Sequence, residues 1–170
     1  MKLFRLLPLL ALAALPALAD APLRIVKSDT GYRFSAKTKS SEYAFEVPGK
    51  TIRTSEKDHR IFAMIDGAML QVLRVPASAG TEEEALAAHR QTESAFLEKS
   101  GATVSESSHC ASLAVPHAAW QAELADVSVS RYLTVKIDET ILVLVVASNV
   151  TTPSGVADKQ MDSICSTFQR

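Results

Sequence analysis

The residues best suited to chemistry are four histidines, His59, His89, His109 and His117, and two cysteines, Cys110 and Cys165. A zinc site needs several imidazole or thiolate ligands at short spacing, because one ion must gather them into a tetrahedron. The nearest histidine pair, His109 and His117, is split by Pro116 across an expected strand boundary. No metal site is expected from it. An acyl-transfer enzyme would show a nucleophile on a sharp turn, and no G-x-S-x-G is present; Ser105, Ser107 and Ser108 read as polar residues of a strand and turn. An Asp and a His could still meet in space. The six glycines are scattered, without the G-x-G-x-x-G or G-x-x-x-x-G-K pattern that cradles phosphate. No catalytic residue, cofactor or metal ligand is assigned, and the chain is expected not to be an enzyme.

The cysteines carry a compartment argument. Met1–Ala19 reads MKLFRLLPLLALAALPALA: Lys2 and Arg5 form a positive start, Leu6–Ala14 an apolar run, and Ala17-Leu18-Ala19 a small-x-small triplet. That is the pattern of a secretory signal peptide, with cleavage expected between Ala19 and Asp20. The apolar run falls short of the ~20 residues a spanning helix needs, so no stable membrane anchor is expected after cleavage. Export leads to a periplasmic or secreted location, where an oxidising environment favours a Cys110–Cys165 disulfide. Two buried free thiols are the alternative. A catalytic thiol pair is less favoured, because the cysteines lack a C-x-x-C arrangement.

The whole chain has 170 residues, is 47% apolar and 22% charged, and has a formal net charge of −1. That composition suits one foldable domain, residues 20–170, and no segment offers the basic face that nucleic acid requires. Within it, Leu23–Val26, Tyr32–Ala36 and Tyr43–Val47 read as short strands. Arg60–Val75 reads as a hairpin about Asp66-Gly67, placing Ile65 opposite Ala68, Ala63 opposite Leu70 and Ile61 opposite Val72. Its other face carries Phe62, Met64, Met69 and Gln71.

Thr81–Lys99 reads as a helix with Thr81 as N-cap, Glu84 as its capping-box partner and Gly101 as its stop. The inward stripe is expected through Ala85/Leu86, Ala88/His89, Thr92 and Phe96, with Glu93 on a solvated face. Short strands are then expected at Thr103–Ser107, Ala111–Val115 and Ala118–Leu124, and a long hairpin from Val127 to Asn149 turns at Asp138-Glu139. Its register sets Ile137 opposite Thr140, Val135 opposite Leu142, Leu133 opposite Leu144 and Tyr132 opposite Val145. A last helix is expected to open at Thr152-Pro153, with Ala157, Met161, Ile164 and Phe168 facing the sheet. Strands apolar on both faces need cover on both sides. The fold class expected is therefore α+β, an antiparallel sheet covered by helices on both faces, a three-layer α/β/α sandwich.

Two groups of side chains remain as candidates for binding. Trp120 and Tyr132 either pack in the core or anchor a ligand or partner, and Phe62, Met64 and Met69 lie either under a helix or in an exposed apolar groove. The order of elements, the stretch Tyr43-Ala44-Phe45-Glu46-Val47-Pro48-Gly49 and the ending Asp162-Ser163-Ile164-Cys165-Ser166-Thr167-Phe168 resemble the PsbP-like α/β/α sandwich superfamily over residues 30–170. That group includes the photosystem oxygen-evolving extrinsic protein, a Ran-binding factor and periplasmic DcrB-type proteins. This chain has Lys50-Thr51-Ile52 where a Trp often follows the Pro-Gly. The resemblance implies a non-catalytic module acting through an envelope or secreted protein partner. A carrier of a small apolar ligand is the alternative, and a hydrolase or metal-binding protein the third reading.

Overall fold

The computed structural model describes residues 23–57, 60–125 and 128–170. The expected signal peptide with its cleavage point, His59, and Val127 at the start of the long hairpin lie outside the described residues. Among the described residues ten strands and two helices follow in chain order: β1 (Arg24–Lys27), β2 (Gly31–Lys37), β3 (Glu42–Pro48), β4 (Ile52–Lys57), β5 (Arg60–Ile65), β6 (Ala68–Pro76), α1 (Glu82–Lys99), β7 (Ala102–Glu106), β8 (His117–Leu124), β9 (Ser128–Ile137), β10 (Thr140–Asn149) and α2 (Val156–Thr167). Strands β1-β2-β3 form one antiparallel sheet, and β4-β5-β6-β10-β9-β8-β7 form a second.

The long hairpins form as their alternation dictates. Asp66 and Gly67 take φ values of 47° and 88°, the left-handed pair a two-residue turn needs, and Ile65, Ala63 and Ile61 pair with Ala68, Leu70 and Val72. The second hairpin pairs Ile137 with Thr140, Val135 with Leu142, Leu133 with Leu144 and Tyr132 with Val145. Leu142, Leu144 and Val146 bury one face of β10, and Ile141, Val143 and Val145 bury the other. A central strand apolar on both faces must be covered twice.

That cover is not the one expected. The chain is mostly β, and the antiparallel sheet is not clothed by helices on both faces as an α/β/α sandwich would be. The N-terminal strands form a separate sheet in place of an outer helical layer. Period-2 alternation puts Tyr32, Phe34 and Ala36 of β2, with Tyr43, Phe45 and Val47 of β3, into the core they share with the large sheet. Phe34 stacks on Phe45 with centroids 5.2 Å apart, and Phe45 on Phe168 at 6.5 Å. Helix α2 lies beside β3, its Ala157, Met161 and Ile164 completing that layer. Among the described residues α1 alone sits on the other face, nearest β7, β8 and β9, its Ala85 and Leu86 sharing a buried cluster with Leu73, Val75 and Val143.

Other departures are local. Residues 111–115 form turns and irregular backbone instead of a strand, because Cys110 adopts φ 63° and is bonded to Cys165, with sulfurs 1.92 Å apart. Helix α2 starts at Val156 behind Gly155, since Thr152 is engaged elsewhere: its hydroxyl donates to the Gly67 carbonyl at 2.9 Å. The polar stretch Ile52–Lys57 adds an edge strand that no apolar alternation announces.

Two aspartates at hairpin turns pin the small sheet to the large one. At one end Asp66 accepts from the backbone N–H groups of Lys50 and Thr51, each at 3.0 Å. At the other, Asp138 accepts from the hydroxyls of Ser40 at 2.6 Å, Ser41 at 2.9 Å and Thr38. The Ser40 and Thr38 hydroxyls hold the Asp138 carboxyl down at about 2. A carboxyl so lowered stabilises the fold fully above its unfolded value near 4 and loses that contribution as pH falls toward 2. Asp138→Asn is expected to cost about 1 kcal/mol at pH 7, solvent screening keeping the figure small. Denaturant unfolding should show the difference shrinking between pH 4 and pH 2.

Candidate functional site

The face of the large sheet beneath α1 carries most of the residues singled out for binding. Cross-strand pairing aligns Phe62, Gln71, Val145, Tyr132 and Trp120 in one row across β5, β6, β10, β9 and β8. In the next row Met64 pairs with Met69. Pairing thus gathers Trp120, Tyr132, Phe62, Met64 and Met69 on one surface, which α1 divides.

Under α1, Trp120 is fully buried and stacked on Tyr132, with centroids 4.9 Å apart and planes within 5°. The His89 ring meets Trp120 edge-on at 6.3 Å. Outside α1, Met64 keeps 40% of its surface exposed, and Phe62 and Met69 are half-buried. On the edge strand β4, exposed Arg53 and Ser55 pair with Met64 and Phe62, and exposed Lys57 pairs with Arg60.

The helix face that closes this site is turned from the expected one. Ala85, Leu86 and Glu93 are buried, while Ala88 and Thr92 are exposed. Glu93, read from its charge as solvated, is 5% exposed, and the stripe runs 85/86, 89, 93, 96/97. The signal was present in the 3.6-residue period. Polarity argued for Thr92 over Glu93, but the Thr92 hydroxyl turns back to the Ala88 carbonyl at 3.0 Å, leaving the inner position to Glu93.

Burial sets the protonation of this face. It raises Glu93 to about 7, against the pull of Arg60, and lowers His89 to about 4. Tyr132 is raised to about 12 by burial and by Glu93. The His89 Nε2, the Trp120 Nε1 and both amide atoms of Gln71 are buried without a hydrogen-bond partner among the described residues. Gln71 and Glu93 are the site residues the sequence reading missed. A Gln inside an apolar strand, facing a helix, was the signal for the first.

A second cluster surrounds His109. Its Nδ1 lies 2.5 Å from Asp162 Oδ1 and its Nε2 3.3 Å from Asp158 Oδ1, one turn apart on α2; Arg131 donates through Nε to the same Asp158 oxygen at 2.6 Å. An Asp and a His do meet, yet the nitrogen that would activate a nucleophile faces a carboxylate. The Ser107 hydroxyl instead accepts from the His109 backbone N–H at 3.2 Å. With the adjacent Cys110–Cys165 bridge, these contacts clamp the β7–β8 loop to α2. His117 is elsewhere, its Nδ1 2.9 Å from the Val115 carbonyl oxygen. Among the described residues no group of three or more His, Cys, Asp or Glu side chains could hold a metal ion.

No protein-family model matches the chain, and no curated protein sequence matches it. The PsbP-like resemblance therefore rests only on the residues quoted for it.

His89 and Glu93 oppose one another in pH. A raised carboxyl favours the fold at low pH and loses that contribution as pH rises from about 4.5 to about 7; a depressed imidazole loses its contribution as pH falls from about 6.5 to about 4. Glu93→Gln is expected to exceed the parent in stability at pH 8 by about 2 kcal/mol, discounted for partial solvation. The gain should vanish near pH 4.5. His89→Gln should show the mirror image, a gain at pH 4 that is gone at pH 8. Thermal unfolding across this range checks both signs.

Proposed function

We propose that the protein is an exported, non-catalytic binding module that engages a protein partner in the periplasm or outside the cell. The reading is carried by one observation: the cluster packed under α1 reaches Leu73 and Val75 of β6 but leaves Phe62, Met64 and Met69 of the β5–β6 hairpin as a partly exposed apolar surface. Exposed apolar area in a sheet wing edged by Arg53 and Lys57 suits a partner's apolar segment better than solvent. Export is supported by the N-terminal sequence pattern and by the disulfide. No helix among the described residues is long and apolar enough to cross a membrane.

The carrier alternative has less support near Trp120, where Tyr132 and His89 already occupy the ring's neighbourhood. Hydrolysis has less still, with His109 held between carboxylates.

A photo-crosslinking amino acid placed at Met64 tests the reading in the native envelope fraction. One defined protein adduct is expected from position 64 and none from exposed Glu98 on α1. Equal adducts from both positions, or none from 64, would overturn it. Met64→Lys is expected to reduce partner capture at least about tenfold while moving stability by no more than about 0.5 kcal/mol, as a surface change does.

A further inference from the structure

Helices α1 and α2 are seated very differently. Over 12 residues α2 buries Ala157, Gln160, Met161, Ile164 and Cys165; its Gln160 donates to the Ile65 carbonyl at 3.0 Å, and the disulfide ties it down. Over 18 residues α1 fully buries two apolar side chains, Ala85 and Leu86, and the carboxyl-bearing Glu93. On the sheet face that α1 covers lie the amide of Gln71 and the indole N–H of Trp120, and α1 itself brings the His89 ring against Trp120. With the Nε2 of His89 these are four of the six buried side-chain polar atoms without a hydrogen-bond partner among the described residues. Buried polar atoms are nearly always hydrogen-bonded, so four on one sheet face mark a cover that is not optimised for closure.

The ends of α1 match that weakness. Gly80 and Gly101 flank it at φ 123° and 89°, backbone states that glycine adopts without steric cost. Inside, the charge of Arg60 on β5 pulls on Glu93; the ion pairs of α1 with Glu106 and Arg170 are solvent-accessible, Arg90 with Glu106 at 2.6 Å and Glu82 with Arg170. Pairs of that kind hold little.

We propose that α1 is a lid hinged at Gly80 and Gly101, and that its lifting joins the Trp120–Tyr132 stack to the Phe62, Met64 and Met69 surface as one floor for an apolar peptide segment. The occupant rests on the partner-module reading, whereas the lid itself is a property of the free protein. A peptide is the chemistry that fits: its carbonyl and N–H complement the Gln71 amide, its carbonyl accepts from the Trp120 N–H, and its side chains pack on the row between them. The opposing titrations of His89 and Glu93 argue against pH alone as the trigger.

Hydrogen exchange of the full chain, with the disulfide intact and at fixed pH, tests the lid. Amides of 82–99 are expected to exchange at least about a hundredfold faster than those of 156–167 and of β9–β10, as a locally opening element does. Exchange of α1 at the same rate as α2 and the central strands would overturn the lid. The double variant Gln71→Leu/Glu93→Leu, which replaces the unpartnered amide and the buried carboxyl with apolar groups, should slow α1 at least about tenfold without changing α2. No change in α1 would contradict the stated cause. Fast α1 exchange together with an unproductive crosslinker at position 64 would leave the lid standing and remove its peptide occupant.

Discussion

The constraint on which the structure depends is that β10, with β6 and β9 beside it, is apolar on both faces. Leu142 and Leu144 point one way, Ile141, Val143 and Val145 the other, and each face must be removed from water. The chain meets the demand with unequal means. One face receives a three-stranded sheet, a helix and a disulfide, and that sheet is fixed at both ends by turn aspartates. The other receives, among the described residues, a single helix, and beside it the β5–β6 hairpin stays partly exposed.

This asymmetry connects the fold to the proposed function. On the firm face the aromatic residues Phe34, Phe45 and Phe168 stack in series, and the loop holding His109 is clamped to α2 by carboxylate contacts and the disulfide. On the other face a row of large side chains runs from beneath α1 to an uncovered wing. The buried polar atoms there that lack a partner among the described residues give up stability that an apolar interface would have kept. Residues that break local rules without an evident structural return are where binding is most reasonably sought.

Much of this was legible in the sequence, and the parts that were not have physical reasons. Asp66-Gly67 and Asp138-Glu139 between alternating runs defined both hairpins and their registers, and the capping box from Thr81 to Glu84 marked the start of α1. Those signals are local. Which sheet a strand joins is not local: Tyr32 to Ala36 and Tyr43 to Val47 were recognisable as strands, but nothing in them showed that they would cover the large sheet instead of extending it. The inner face of α1 follows the 3.6-residue period through Glu93, against the charge that argues for solvent at that position. The row from Phe62 to Trp120 needs four strand pairings at once, so the sequence could nominate its members without showing that they are aligned.

The account's central claim is that the two faces of the large sheet are sealed with different strength. Trp120, the sole tryptophan, reports on the weaker side. Urea unfolding of the disulfide-bonded protein, followed in parallel by Trp120 fluorescence and by far-ultraviolet circular dichroism, tests this directly. The account predicts that the fluorescence transition comes at lower urea, as α1 leaves before the sheets unfold. Coincident transitions with equal midpoints and slopes would show one cooperative unit and contradict it.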